Sequence, residues 1–186
     1  MGIDPGNGKL LWRYEKSGKS SPAVIIMPLV SEGMIYSGAF RATTALIKPV
    51  LKAGVFTVEE IYSNGKLPVG LGGVVKVGEY FYGSGGSVAM CVEFKTGTVK
   101  WEERSIGPGS LLVADGRIYV HAESGDVAMF EPSAEAYREK GRFTPPGVPS
   151  RANPMEKAWT YPVIANGKLY IRDKDSLWCY DVKAGK

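Results

Sequence analysis

Residue types that build catalytic and metal centres are scarce in this chain. Its 186 residues include two cysteines, Cys91 and Cys179, and one histidine, His121. A metal site made of several histidines, or a Ser-His-Asp relay, therefore has little to draw on. Both cysteines are expected to be small buried residues, since free cysteine is among the most buried residue types. We interpret His121 as a loop residue rather than a catalytic base.

Long apolar runs and blocks of like charge are also missing. The 23 Lys and Arg against 19 Asp and Glu give a net charge of +4, and they are scattered along the chain. Neither a nucleic-acid-binding stripe nor a polybasic membrane anchor is indicated. No run approaches the roughly 18 apolar residues of a membrane helix. Met1 leads directly into a turn, so we expect no signal peptide in this chain.

The chain does contain a repeat, punctuated by 24 glycines and 12 prolines. An apolar-x-x-Gly turn recurs four times, with the glycine at Gly33, Gly78, Gly116 and Gly167, at separations of 45, 38 and 51 residues. The residue three beyond each glycine is aromatic in all four copies: Tyr36, Phe81, Tyr119 and Tyr170. Such spacing is typical of four-stranded propeller blades with loop insertions.

Each copy predicts short antiparallel strands. Asp115-Gly116 and Asn166-Gly167 lie between apolar runs and favour two-residue hairpin turns. A second motif has an apolar residue, an acid, a glycine four residues on and a tryptophan four further, as in "IDPGNGKLLW" and "VEFKTGTVKW". We therefore predict at least 45% strand, with helix limited to one or two turns near residues 133–140. Trp12 and Trp101 of this motif, with the four aromatic residues, are expected to be largely buried.

These motifs resemble the pyrroloquinoline-quinone-like (PQQ-like) repeat β-propellers, as do "SPAV" at 21–24 and the "NGKLYIRDKDSLWCYDV" ending. The resemblance implies an all-β fold in which residues 1–186 form one domain of about four four-stranded blades. That is a partial propeller, or half of a seven- or eight-bladed ring, from the C-terminal part of a longer bacterial protein. It further implies a non-catalytic binding or assembly scaffold in the periplasm or outside the cell, with a protein or glycan partner.

An alternative within the same resemblance is part of a PQQ-dependent alcohol or sugar dehydrogenase. Those enzymes carry a disulfide between neighbouring cysteines, a calcium ion and a catalytic Asp, whereas Cys91 and Cys179 are 88 residues apart. "DKDS" at 173–176 lacks the glycine and distal glutamate of a helix-loop-helix calcium site. We therefore expect no catalytic residue, no metal and no cofactor, and PQQ with calcium only under the alternative.

Blade geometry indicates where a binding face would lie. Turns between the second and third strands share one face with the connections between blades, and the irregular Pro-rich segment 144–158 is one of those connections. Long irregular loops often carry a scaffold's specific function. The candidate binding residues on this face are Arg41, His121, Glu123, Arg172, Asp173 and Asp175.

The ends of the chain are compatible with three arrangements of the ring. Residues 8–14 could supply the outer strand of the last blade and close a four-bladed ring within one chain. The blades could instead form an open arc, or a second copy could complete the ring by self-association. An open arc exposes apolar blade faces and unpaired strand edges.

Overall fold

The computed structural model describes residues 1–19, 21, 23–40, 42–104 and 106–183. These residues form seventeen strands that hold roughly half of the chain, and no helix is assigned among them. Consequently, in this part of the chain nothing helical is long and apolar enough to span a bilayer. The all-β prediction is confirmed, as is the expected share of strand.

The strands form consecutive antiparallel sheets. A two-stranded sheet of β1 (Gly2–Ile3) and β2 (Leu10–Trp12) comes first. The first four-stranded sheet contains β3 (Leu29–Ser31), β4 (Met34–Ser37), β5 (Thr44–Lys52) and β6 (Val55–Asn64). The second contains β7 (Val74–Val77), β8 (Tyr80–Gly85), β9 (Val88–Glu93) and β10 (Val99–Glu103).

A third four-stranded sheet contains β11 (Gly109–Ala114), β12 (Arg117–Ala122), β13 (Val127–Glu131) and β14 (Arg138–Phe143). The last sheet has three strands in the described residues: β15 (Val163–Ala165), β16 (Lys168–Asp173) and β17 (Ser176–Asp181). Within each sheet the spatial order of the strands follows the chain order, which is the meander of a propeller blade.

The hairpin turns form where the sequence predicts them. Asp115 and Gly116 have φ of 46° and 68°, and Asn166 and Gly167 have φ of 53° and 72°. Positive φ at both central residues defines the type I′ turn, whose twist matches that of the flanking strands. Local chemistry therefore fixes the junction between the first two strands of the third and last blades.

The glycine alignment is one residue out of register in the second blade. Gly78 is the first residue of its two-residue turn, between Val77 and Tyr80, whereas Gly116 is the second residue of its own turn. Tyr82, and not Phe81, therefore occupies the position of Tyr119. Phe81 and Tyr82 are nonetheless both buried.

The acid of the second motif stabilises a loop. Glu93 accepts a hydrogen bond from Thr96 Oγ1 at 2.6 Å, and its carbonyl oxygen accepts one from the backbone of Gly97 at 2.9 Å. Asp4 makes the equivalent bonds with Asn7 Nδ2 at 2.9 Å and with the backbone of Gly8 at 2.8 Å. The recurring acid is thus a structural residue in both of these copies.

Apolar clusters join neighbouring blades. One cluster lies between the first two complete blades, around Tyr36, Leu46 and Phe81. Others lie between the second and third blades and between the third and last blades. Hydrogen bonds reinforce these contacts, because Trp101 Nε1 donates to the carbonyl of Ser133 at 2.8 Å across the second junction.

Two expectations need correction. The predicted helix near residues 133–140 does not form: residues 133–137 are irregular, and residues 138–140 belong to β14, where pairing with β13 outweighs helix propensity. Of the six aromatic residues of the repeat, Tyr36 and Phe81 are fully buried, and Trp12, Trp101, Tyr119 and Tyr170 are partly exposed. Cys91 is buried as expected, whereas Cys179 is exposed because no further blade covers its side of β17 in the described residues.

The N-terminal strands do not close a four-bladed ring. β2 pairs with β1 and lies beside β6 of the first complete blade, where Tyr14 Oη donates to Glu60 at 2.5 Å. β17 pairs with β16, and no second partner strand for it occurs among the described residues. The fold is therefore an open arc of blades in this part of the chain.

Candidate binding face

Residues 144–162, here called the insertion, connect β14 to β15 and cover one end of the third blade. Ser110 Oγ donates to the carbonyl oxygen of Trp159 at 3.1 Å. His121 Nδ1 lies 3.0 Å from the carbonyl oxygen of Thr160, which can only accept, so this nitrogen carries the proton. The backbone of Ala158 donates to the carbonyl of Glu123 at 3.0 Å. Three successive insertion residues are thus fixed to the blade.

A buried ion pair fixes the middle of the insertion to the last blade. Arg151 donates from Nη1 to Asp173 Oδ1 at 2.9 Å and from Nη2 to Oδ2 at 2.5 Å. The Asp173 side chain is 3% exposed and that of Arg151 19%. The hydrogen-bonded carboxylate raises the pKa of Arg151 above its ordinary range. This two-point geometry orients both side chains as well as attracting them.

The turn between β16 and β17 supplies another tether. Lys174, with φ of 50°, donates to Glu156 Oε2 at 2.7 Å and to the carbonyl of Ser150 at 3.0 Å. The ammonium group lowers the pKa of the Glu156 carboxyl. Glu156 also accepts a hydrogen bond from the backbone of Ala152 at 3.0 Å. Both flanks of Arg151 are therefore held as well.

Two aromatic side chains of the insertion remain accessible. Trp159 is 50% exposed and Tyr161 is 45% exposed. Tyr161 Oη donates to the carbonyl of Leu71 at 3.2 Å, before the inner strand of the second blade, and partial burial raises the pKa of its hydroxyl. An ordered backbone thus presents aromatic surface at little entropic cost, a property of protein-binding hot spots.

Most of the residues predicted for the face do contact the insertion, but chiefly in a supporting role. His121 is buried in β12 rather than lying in a loop. Asp173 is buried with Arg151, and the carbonyl of Arg172 accepts a hydrogen bond from Thr160 Oγ1. Asp175 is exposed. Arg41 lies outside the described residues.

The insertion contains residues that sequence reasoning did not select. The segment stands out in the sequence for its prolines and for Trp159 and Tyr161, which lie outside the repeat. Nothing in the sequence marks Arg151 as the partner of Asp173, 22 residues away. Ser110 is equally unmarked, because it is one small polar residue in a strand.

The acidic side chains and the two cysteines bear on the alternative of a quinone and calcium centre. Among them, no group of three or more His, Cys, Asp or Glu side chains converges on one point. Cys91 is packed between the second and third blades, and Cys179 lies on the outward side of the last one.

The fold and the face together define a β-propeller arc of PQQ-like repeats. Residues 3–135 match the family described as outer membrane protein assembly factor BamB. This match covers more than half of the chain, and the chain belongs to that family.

Solved structures support the fold. BamB from Moraxella catarrhalis superposes with a TM-score of 0.58 at 14% identity, over 83% of this chain and 41% of that one. The computationally designed Ika4 protein superposes with a TM-score of 0.60 at 12% identity, over 95% of this chain and 99% of that one. This chain therefore spans about two fifths of the length of the Moraxella protein. No curated protein sequence matches it.

Proposed function

We propose that this chain is a non-catalytic scaffold of the bacterial cell envelope that binds a protein partner through the insertion. The observation that carries the proposal is the exposure of Trp159 and Tyr161 on a segment whose backbone is fixed at several points. Rigid aromatic side chains supply large contact area with little loss of conformational entropy. The face is thus built for binding without a reacting group.

The family relationship supports the kind of partner. The family is described as outer membrane protein assembly factor BamB, so we propose a protein of that assembly process as the partner and the periplasm as the location. Fractionation of the source cells tests the location. A cytoplasmic location would contradict this part of the proposal.

Site-specific photocrosslinking tests the partner directly. A photoreactive phenylalanine at Lys157, exposed and two residues from Trp159, should yield a discrete protein adduct in the source cells. The matched control places the same group at Asp115, exposed in a turn at the opposite end of the blade. Equal adducts at both positions would refute the proposal. Capture of a glycan without protein would show that the partner is a glycan and not a protein.

The proposed function needs no cofactor. Addition of PQQ and calcium should leave the melting temperature and the absorbance of the quinone unchanged. A saturable rise in melting temperature would instead show binding to the folded state and favour the dehydrogenase alternative.

A further inference from the structure

The outward side of the last blade has the character of a contact surface between blades. Leu177 is 67% exposed and Val163 is 53% exposed, and Cys179 of the same strand as Leu177 is also exposed. The free edge of β17 beside them pairs with no strand in the described part of the chain. Unpaired edges beside apolar side chains favour association with another strand.

The second blade shows what happens to the same positions when a neighbour is present. Counting back from the recurring acid, Cys91 is equivalent to Cys179 and Ala89 to Leu177. Cys91 is 0% exposed and Ala89 is 8% exposed, both packed against the third blade. The exposed positions on the last blade are therefore those that a following blade buries elsewhere in this molecule.

The opposite end of the arc offers a complementary groove. A cavity of about 690 Å³ lies against the first complete blade and is lined by Val30, Ile35 and Ile47, with Trp12 and Met1 beside them. Val30 is 66% exposed. These residues face away from the second blade, toward the place where a preceding blade would pack.

Strand register indicates how the two ends fit together. Trp12 lies opposite Gly2 and Leu10 opposite Ile3 in the N-terminal sheet. In the second blade, Trp101 lies opposite Cys91 and Val99 opposite Val92, with the same irregularity between the pairs. β2 therefore has the register of an outer strand, which is the position lacking in the last sheet of the described residues.

We propose that two copies of this chain associate head to tail, with β2 of each copy completing the last blade of the other. β17 then replaces the two-residue strand β1 as the neighbour of β2, which places Trp12 opposite Cys179 as Trp101 lies opposite Cys91. The three complete blades in the described residues of each copy, with two shared blades, give a closed ring of eight, which leaves no strand edge unpaired at the junctions.

A second copy fits better than closure within one chain. β2 lies beside β6 of its own first blade, at the opposite end of the arc from β17. In a head-to-tail dimer, the exposed end of each arc packs against the opposite end of the other copy, so both ends are covered.

The mass in solution is the first test. Light scattering after size exclusion should give twice the 20.1 kDa of one chain. Leu177→Asp should raise the dimer dissociation constant by at least about tenfold, because it places a charge without a partner in an apolar contact. Val55→Asp, at a hairpin tip with 64% exposure, is the matched control and should remain dimeric. A monomer, or a mass above two chains, would overturn the two-copy ring.

Thiol chemistry tests the register. Alkylation of Cys179 should slow as protein concentration rises, whereas Cys91 should stay unreactive throughout. Trp12→Cys should form a disulfide with Cys179 between chains, since directly opposed strand residues lie within disulfide reach. A disulfide within one chain would show closure in cis and contradict the proposal. The proposal would also be contradicted if the chain dimerises, no disulfide forms between chains, and Leu177→Asp leaves the dimer dissociation constant unchanged.

Discussion

The ion pair between Arg151 and Asp173 gives the sharpest single prediction. Asp173→Asn removes the charge but keeps the size of a side chain that is 3% exposed, and leaves Arg151, which is 19% exposed, without its counter-ion. Breaking a buried pair by removing one partner typically costs about 3–5 kcal/mol. Because Arg151 keeps some contact with solvent, we expect about 3 kcal/mol, which corresponds to roughly a hundredfold increase in opening of the insertion.

Limited proteolysis with trypsin measures that opening. Cleavage after Arg151 or Lys157 requires the insertion to leave the blade, so its rate follows the population of the open form. Hydrogen exchange of residues 150–160 should rise in parallel while the strands remain protected. The control is Asp175→Asn, which removes the same charge from an exposed side chain two residues away. Equal cleavage rates in the two variants would refute the proposed tether.

Three further predictions concern the propeller. Trp101→Ala should cost about 3 kcal/mol in urea unfolding, at the low end for tryptophan because the side chain is half-buried; an unchanged midpoint would contradict its structural role. Burial raises the pKa of Cys91 from 9.0 to about 11, so the folded state retains the proton and stability should fall as pH rises from 9 to 11. In the Cys91→Ala variant, stability should fall less over this pH range. The same fall in both proteins would show that other groups cause it. Gly72→Ala should destabilise by at least about 2 kcal/mol, because the added Cβ would lie 1.8 Å from the carbonyl oxygen of Gly109. Gly65→Ala, with open space around it, is the control; equal melting temperatures would refute the steric argument.

Features with local causes could be predicted from the sequence. Asp115-Gly116 forms its hairpin turn because those two residues accept positive φ with little strain. The recurring acid also has a local cause, because its hydrogen-bond partner lies only three residues away. Packing then follows from repetition, because equivalent strands present equivalent apolar faces to their neighbours.

Features set by distant contacts could not be predicted in this way. Residues 133–140 have a helix-like composition, yet residues 138–140 are part of β14, which pairs with β13. The position of Gly78 within its turn shifts one strand by a residue, although the glycine pattern is unchanged. Arg151 contacts Asp173 only because the insertion packs against the last blade. Sequence reasoning therefore placed several of the candidate residues beside the insertion, but it did not find the contacts that hold the insertion in place.

Binding of the crosslinked partner to purified variants tests the central claim most directly. Trp159→Ala should raise the dissociation constant by about thirtyfold, corresponding to about 2 kcal/mol for an aromatic hot spot. The hydrogen bond that Ser110 Oγ donates should survive this change, because its acceptor is the backbone carbonyl oxygen of residue 159. Val99→Ala, on the outer strand of the second blade, should bind as the unaltered chain does. Equal affinities for all three proteins would show that the insertion is not the binding face.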